Sequence, residues 1–182
     1  MTPILVRPAT EDDLPALTDI YNHYVVTTPI TFDLQPLTVD DRRAWFVEHS
    51  RGGRHRLLVA TEGNVGRGQA IGYASSSRFR PKAAYDTTVE CSVYCRADVV
   101  RRGIGTALYR ALFEQLKEED INRIVAGVTL PNPASIALHE RCGFRQVGTL
   151  SSVGRKFDCY WDVAWFERPL KLSLSVPRAD GG

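Results

Sequence analysis

The sequence lacks the spacing patterns of cysteine and histidine that are typical of metal sites and disulfide-bonded domains. It has four cysteines and four histidines among 182 residues. Neither set shows the close pairs that zinc sites and small disulfide-bonded domains use. We therefore expect reduced, packing cysteines and no bound metal. The positions are Cys91, Cys95, Cys142 and Cys159 for the thiols and His23, His49, His55 and His139 for the imidazoles.

Strong charge and long apolar runs are also missing. The formal net charge is +2, too small to suggest a nucleic-acid or membrane partner, and no apolar run approaches the length that spans a bilayer. Arginines cluster locally near 78–82 and 96–102, which favours small anionic ligands. The composition is otherwise globular, with 43% hydrophobic and 24% charged residues. We predict one cytoplasmic domain over residues 1–170 and a flexible tail at 171–182.

Helix signals occur at four places along the chain. Capping boxes that begin at Thr10 and Thr38 predict two early helices. The second of these is expected to continue until Gly52 and Gly53, and a proline-containing loop at 25–37 separates the two. The third helix is the apolar stripe that follows residue 103. The fourth is a short helix that begins after Asn132, with Pro133 in the first helical position.

Strand signals alternate with these helices. The strands on either side of the third helix are predicted to pair in parallel. A glycine-rich turn over 62–68 predicts an antiparallel hairpin, and a loop at 151–156 is expected between the last two strands. The predicted fold class is therefore α/β in the broad sense (α+β), because the central sheet is mixed and is flanked by helices. The predicted strands are 3–8, 56–61, 70–77, 88–95, 123–128, 144–150 and 160–168.

One stretch carries more information than the rest of the chain. Thr88–Cys95 alternates like a strand, and the turn Arg101-Arg-Gly-Ile-Gly-Thr106 leads into the third helix. Glycines let the backbone approach a ligand, and N–H groups of a first helical turn point at an anion, so a phosphorylated cofactor is expected. A dinucleotide motif would need a third glycine at Leu108, and a triphosphate loop would need Gly-Lys-Ser/Thr. The alternative is that Gly103 and Gly105 only permit close helix packing.

The element order, this turn and the later run Asn132-Pro-Ala-Ser-Ile-Ala-Leu-His-Glu-Arg-Cys-Gly-Phe144 together resemble the GCN5-related N-acetyltransferase superfamily. Val100 departs from it, because members usually carry Gln or Arg there. Within the superfamily, the chain is similar to phosphinothricin and methionine sulfone/sulfoximine acetyltransferases. That narrower similarity rests on Ile20-Tyr-Asn-His-Tyr24, Thr31-Phe32, Ala84-Tyr-Asp-Thr-Thr-Val-Glu90, Ser92-Val-Tyr94 and Leu138-His-Glu140.

The resemblance implies acetyl-CoA as the cosubstrate. Members lay the pantetheine arm along a splayed strand, whose backbone N–H groups would polarise the thioester. Asn132 and Ser135 are assigned to cofactor contacts, and roles as helix cap and first-turn residue can coexist with them. The cofactor-binding residues expected on this basis are Val93, Tyr94, Cys95, Arg101, Arg102, Gly103, Ile104, Gly105, Thr106, Asn132 and Ser135.

Two residues are candidates for acid–base chemistry. Glu90 is the expected general base, because a partly desolvated carboxylate can have a raised pKa and accept the ammonium proton, directly or through water. Its alternative role is an ion pair with a basic side chain. His139 stands where many members place a tyrosine acid and could protonate the departing thiolate. It could equally contact the cofactor or fill a polar niche. No activated nucleophile is evident, so direct transfer is expected.

The acceptor side is predicted from Phe32, Phe79, Arg80 and Tyr85. These aromatic and basic side chains suit a small amino acid with a tetrahedral polar end. The alternative is that the basic residues of 78–82 are solvated charges. The resemblance also implies a homodimer, with loop 153–158 near the partner's site. Rival functions are acetylation of another amine, such as a protein N-terminus or a polyamine, and a non-catalytic acyl-CoA sensor.

Overall fold

A computed structural model describes residues 3–49, 52–62, 68–99 and 103–171. The strands are β1 (Ile4–Pro8), β2 (Leu57–Glu62), β3 (Ala70–Arg78), β4 (Thr88–Cys95), β5 (Arg123–Thr129), β6 (Arg145–Lys156) and β7 (Cys159–Pro169). The α-helices are α1 (Leu14–Thr27), α2 (Arg43–Val47), α3 (Ile104–Leu116) and α4 (Pro133–Arg141). The strands form a single sheet in the order β1-β2-β3-β4-β5-β7-β6. None of these helices is long and apolar enough to cross a bilayer.

The first capping box lies where the sequence predicts it. The backbone N–H and the hydroxyl of Thr10 both donate to the Asp13 carboxylate, at 2.8 and 3.0 Å. Arg7 of β1 forms an ion pair with the same carboxylate at 2.7 Å. Helix α1 then runs to Thr27, which corrects the prediction that the loop begins at residue 25. Val25 is buried in the core, and its packing keeps the last turn helical.

The second predicted helix is present but much shorter than expected. The backbone N–H of Thr38 donates to Asp41 at 2.8 Å, so the capping box forms. A turn follows it, and α2 itself covers only Arg43–Val47. No residue of α2 is buried, so the long apolar face that would extend this helix is absent from it.

The sheet opens between its two central strands. β4 and β5 pair in parallel, as predicted, while the other ladders of the described residues are antiparallel. The parallel ladder contains the pairs Thr88–Arg123, Val89–Ile124 and Glu90–Val125. β4 continues to Cys95 and β5 to Thr129, so the two strands separate beyond those pairs and leave a gap in the sheet.

The two faces of the sheet are covered by different helices. The larger core lies between the sheet and α3, with Leu108, Leu112 and Leu116 fully buried. The smaller core lies on the opposite face beneath α1, with Leu17 and Tyr73 at its centre. Because side chains alternate along a strand, β4 presents Cys91 and Val93 to the first face and Glu90, Ser92 and Tyr94 to the second.

The last hairpin is longer than predicted. β6 continues through residues 151–156, which the sequence predicts to be a loop. Register shifts between Gln146 and Gly148 and between Leu150 and Gly154 absorb the glycines and serines that suggest a turn. The reversal occurs instead at Phe157 and Asp158, whose φ angles are 52° and 56°.

Candidate active site

A narrow cavity of about 50 Å³ occupies the gap between β4 and β5. We call it the gap cavity. Two of the three strand residues expected to bind the cofactor, Val93 and Tyr94, line it, and so do Asn132 and Ser135. Beyond Glu90, the edge of β4 that faces β5 has no strand partner in the described ladders. The complete lining is Ile30, Cys91, Ser92, Val93, Tyr94, Tyr109, Gly127, Val128, Thr129, Asn132, Ser135 and His139.

Cys95, the third strand residue of that set, contributes differently. Its carbonyl accepts a hydrogen bond of 2.6 Å from the Tyr24 hydroxyl. Its sulfur packs close to Gly72, at 3.2 Å from the position that a Cβ would take there. Cys95 therefore fixes the end of β4 against α1 and β3, and it does not line the gap cavity.

The start of α3 offers the anion-binding geometry that the motif predicts. Gly103 has φ +78°, the left-handed conformation that glycine adopts most readily. The first helical bond runs from the Ala107 N–H to the Gly103 carbonyl at 3.0 Å. The preceding N–H groups, those of Ile104, Gly105 and Thr106, therefore have no helical acceptor. This opening fits the diphosphate of a phosphorylated cofactor. The predicted contacts of Arg101 and Arg102 lie outside the described residues.

Ile104 and Gly105, which the sequence analysis assigns to cofactor binding, also have packing roles. The Ile104 side chain is 2% exposed and belongs to the larger core, so only its backbone is available to a ligand. A Cβ on Gly105 would lie 2.8 Å from Cδ2 of Leu138 in α4. The packing interpretation therefore applies to Gly105, which allows α3 to approach α4, while Gly103 gives the turn its left-handed conformation.

Helix α4 brings three polar side chains to the other wall of the gap cavity. Asn132 caps the helix, because its side chain accepts the Ser135 N–H at 3.1 Å. His139 is 3% exposed. Its Nδ1 lies 2.7 Å from the Ser135 carbonyl, which can only accept, so Nδ1 carries the proton. The His139 Nε2 then accepts a 3.1 Å hydrogen bond from the Tyr109 hydroxyl of α3.

The surroundings of His139 favour its neutral form. Burial lowers the pKa of His139, and the Ser135 carbonyl offsets this only in part. Burial also raises the pKa of Tyr109 far above its ordinary value, so this hydroxyl stays protonated and donates. Donation from Nε2 requires the less favoured imidazolium.

Glu90 lies at the point where the strands separate. It is the last β4 residue paired with β5 and lies opposite Ser77 of β3. Burial raises the pKa of Glu90, and the positive charge of Arg80 counteracts part of that rise. Among the described residues no ion pair involves Glu90. A raised carboxylate pKa without an ion pair is compatible with the predicted role of general base, and it gives no support to the alternative role of ion-pair partner.

Three of the four predicted acceptor-site residues come together, and the charge of one of them, Arg80, acts on Glu90. The Phe79 ring packs edge-on to Tyr85 at 5.8 Å and to Trp165 of β7 at 6.2 Å. The Arg80 guanidinium lies 5.0 Å from the centre of the Phe79 ring. Phe32 is placed differently. Its ring packs on Gly154 of β6, with ring atoms 2.3 to 2.5 Å from where a Cβ would stand.

A second cavity, of about 240 Å³, lies on the α1 and α2 side of β4. We call it the face cavity. It shares Ser92 and Tyr94 with the gap cavity, so the two spaces adjoin at β4 next to Glu90. Its lining is Tyr21, Asp33, Leu37, Asp41, Arg42, Trp45, Tyr73, Ser75, Ser77, Ser92 and Tyr94.

Sequence reasoning missed three residues of this region. Tyr109 falls within the apolar stripe of α3 and looks like an ordinary core residue. Trp165 lies on a strand that carries no motif. Arg42 precedes α2 and resembles a solvated charge, although Trp45 three residues later indicates an inward-facing side. Within the described ranges, no three histidine, cysteine, aspartate or glutamate side chains form a group that could hold a metal ion.

Comparison with known proteins places this site in a family. Residues 17–144 match the profile of the Acetyltransferase (GNAT) family. A phosphinothricin N-acetyltransferase from Streptomyces coelicolor is 53% identical, over 92% of this chain and 96% of its own. An L-methionine sulfoximine/L-methionine sulfone acetyltransferase from Pseudomonas paraeruginosa is 36% identical, over 94% and 98%.

A solved structure agrees with these sequence relatives. A GNAT superfamily phosphinothricin acetyltransferase from Sinorhizobium meliloti, in complex with AcCoA, superimposes with a TM-score of 0.85 at 30% identity. The match covers 98% of this chain and 97% of that one. The predicted fold is thereby confirmed. The chain belongs to the GNAT family of acyltransferases, which use acetyl-CoA as the acetyl donor.

Proposed function

We propose that this protein transfers an acetyl group from acetyl-CoA to the α-amine of a small amino acid of the phosphinothricin or methionine sulfoximine type. The observation that carries the proposal is the position of Glu90, a partly desolvated carboxylate between two residues that line the face cavity: its cross-strand partner Ser77 and Ser92, two residues farther along β4. The names of the relatives at 53% and 36% identity support the substrate class.

Glu90 is the general base of this proposal. An amino acid reaches the protein as an ammonium, which must lose a proton before nitrogen can attack a carbonyl. Glu90 accepts that proton on its carboxylate, and its raised pKa brings its basicity closer to the working pH. The N–C bond then forms as the C–S bond breaks, and the second proton of the reacting nitrogen leaves to solvent.

The separated part of β4 supplies the polarising groups. Acetyl-CoA, when bound, brings an acetyl thioester with a thiolate leaving group. Within Val93–Cys95, the backbone N–H groups that point into the gap belong to a strand that its other edge, paired with β3, holds in place, so they stabilise developing negative charge without reorganising. At the end of the gap, the N–H groups that follow Gly103 hold the diphosphate.

Tyr109 and His139 form the proton-donating pair on the other wall. His139 donates from Nε2 when it is an imidazolium, and the Ser135 carbonyl holds its ring by accepting from Nδ1. The Tyr109 hydroxyl lies 3.1 Å from Nε2, so it donates to the neutral ring, accepts from the imidazolium, and holds the ring in position in both states. His139 touches the reacting groups in this scheme, and Tyr109 is a positioning residue.

The proposal also includes a homodimer. The β6–β7 hairpin lies at the edge of the sheet and exposes apolar side chains that a second copy could cover. Lys156 ties the hairpin to the loop that follows α1 by donating to the Thr31 carbonyl at 2.7 Å. The exposed apolar residues are Val147, Leu150, Val153, Phe157 and Tyr160.

The test is a thiol-release assay with acetyl-CoA and a panel of amines. The panel contains phosphinothricin, methionine sulfone, methionine sulfoximine, an N-terminal peptide and spermidine. We expect turnover with the amino acids and a loss of kcat of at least about 100-fold in Glu90→Gln, because removal of a general base costs roughly two to four decades. The matched control is Glu118→Gln, which changes an exposed glutamate after α3 and should keep wild-type rates.

The other outcomes contradict the proposal in distinct ways. If only the peptide or spermidine is acetylated, the acceptor is another amine and the proposed substrate class is wrong. Binding of acetyl-CoA without release of thiol on any amine would indicate a sensor. Accumulation of an acetylated protein intermediate would contradict direct transfer, because no step of the proposed reaction forms one.

A further inference from the structure

The mechanism proposed above leaves most of the face cavity without a role. One end of this space touches Ser77, the cross-strand partner of Glu90, and Ser92. The other end reaches Arg42 and Tyr73. The cavity is therefore a continuation of the acceptor side, and it extends along β3 and β4 away from the general base.

Arg42 is an unusual residue to find in that wall. It is 4% exposed, yet it makes no ion pair with a carboxylate among the described residues. Its described hydrogen bonds are two long ones from Nη1, to the Leu17 carbonyl at 3.4 Å and to the Tyr73 hydroxyl at 3.5 Å. A guanidinium has five N–H donors, so most of its hydrogen-bonding capacity is left over.

Aromatic rings hold this guanidinium in place. Its central carbon lies 4.0 Å from the ring centre of Trp45, 4.6 Å from that of Tyr21 and 5.6 Å from that of Tyr73. Such contacts favour a cation but accept none of its hydrogen bonds. Arg42 is therefore fixed in orientation while its remaining donors are available to a guest in the face cavity.

The carboxylates of the face cavity do not cancel this charge. Asp33 is exposed and accepts a 2.6 Å hydrogen bond from the Tyr21 hydroxyl, and its charge acts on the buried ammonium of Lys156. Asp41 is exposed and accepts from both Thr38 groups of the capping box. Both lie at the solvent side, where water screens them. Arg42 is the buried charge of the lining.

We infer that Arg42 binds the polar end of the acceptor's side chain, an inference that rests on the proposed function. The amine is expected near Ser92, where the two cavities adjoin. Ser92 pairs with Ser75 of β3, and Tyr73, which contacts Arg42, lies two residues from Ser75 on the same face of that strand. Two residues of strand span about 6.6 Å. An extended chain of four single bonds, from the α-nitrogen to a side-chain terminus, covers about 5 Å.

Two arginines then divide the recognition of one substrate. Arg80, whose charge acts on Glu90, is close to the amine and suits the α-carboxylate. Arg42 takes the oxygens of a phosphinate, sulfone or sulfoximine at the far end. A guanidinium matches such oxygens with paired donors. The expected substrate class is amino acids whose side chain ends in a tetrahedral phosphorus or sulfur group, with an anionic end preferred over a neutral one.

The test compares three acceptors of similar length in steady-state kinetics: phosphinothricin with an anionic end, methionine sulfone with a neutral polar end, and norleucine with an apolar end. We expect Arg42→Met to raise the KM of phosphinothricin by roughly 10- to 100-fold and that of methionine sulfone less. The KM of norleucine and of acetyl-CoA should stay within about twofold. Arg43→Met is the matched control, since Arg43 is exposed and pairs with Asp40 at 2.9 Å.

A purely structural role for Arg42 gives a different pattern. Equal changes in KM for all three acceptors, or none, would overturn the inference. If Arg42→Met does not fold, Arg42→Lys decides, because it keeps the charge and loses the paired donors. A Lys variant with wild-type melting temperature and unchanged preference among acceptors would also overturn it. Absence of turnover with every amino acid in the wild type would instead contradict the proposed function.

Discussion

The eight residues of β4 present two different faces, one apolar and one polar. Toward α3, Val89 and Cys91 are fully packed into the larger core. Toward α1 and α2, Glu90 and Ser92 keep polar groups beside a cavity. The first face stabilises the fold by removing apolar area from water. The second gives up part of that stabilisation, and its partly desolvated carboxylate is the group that we propose as the general base.

This difference explains why the polar face requires the apolar one. A raised carboxylate pKa, a buried guanidinium and an open gap between strands each lower stability. The apolar face, with its continuous contacts to α3, compensates for them. Substitutions on the apolar face should therefore lower stability and leave recognition unchanged, and substitutions on the polar face should mainly change activity or recognition and lower stability little or not at all.

The largest expected effect comes from breaking the apolar face. Leu112→Ala should lower the free energy of unfolding by about 3 kcal/mol, because Leu112 is completely buried and the deletion leaves a cavity. Denaturant unfolding measures this change. Leu34→Ala, at an exposed leucine, should change it by less than about 0.5 kcal/mol. A large rise in acceptor KM for Leu112→Ala would show that the two faces are not separable.

A smaller effect is expected at Tyr109, which belongs to the larger core and also lines the gap cavity. Tyr109→Phe keeps the packing of α3 and removes the hydroxyl that donates to Nε2 of His139. We expect kcat to fall by about 10-fold and the free energy of unfolding by about 1 kcal/mol, with acceptor KM unchanged. Glu118→Gln, at an exposed glutamate after α3, is the control. An unchanged kcat for Tyr109→Phe would remove the pair from proton delivery.

The smallest effect is the stability change that accompanies the general base. The pKa of Glu90 is raised above 4.5 in the folded protein, first because of burial. Its favourable contribution is therefore complete below the unfolded pKa and is lost as the pH rises through the folded one. Glu90→Gln should melt roughly 1–3 °C higher than wild type at pH 7 and show no such gain at pH 4.

Thermal melts across pH 4 to 8 test this, with Glu118→Gln as a variant that should show no pH-dependent difference. A gain for Glu90→Gln at pH 4 as large as that at pH 7 would mean that the carboxylate is not destabilised by its surroundings. The proposed base would then lack its physical justification.

Local signals in the sequence predicted much of the fold. The capping box at Thr10, the cap at Asn132 and the glycine at 103 act through neighbouring residues, so a local pattern is sufficient to find them. The parallel pairing of the motif strand follows from the helix between the two strands. These predictions are confirmed.

Predictions failed where distant contacts decide the outcome. Residues 151–156 look like a loop, but pairing with β7 and two register shifts hold them in β6. The length of the second helix depends on burial that its own residues do not supply. In the candidate site, local pattern and resemblance point to Glu90 and the Gly103 turn. Tyr109 and Arg42 become visible only when helices pack, since nothing near them in sequence distinguishes them from core or surface residues.

β4 and β5 separate after the Glu90–Val125 pair, so beyond that pair the centre of the sheet has no hydrogen bonds between these two strands. A cosubstrate that enters there with its own amide groups would complete the sheet. Donor binding would then act like ligand-induced stiffening of the whole molecule, and amide exchange in both central strands should slow as the donor saturates. The supply of acetyl groups would in this way govern how rigid the enzyme is before any acceptor arrives.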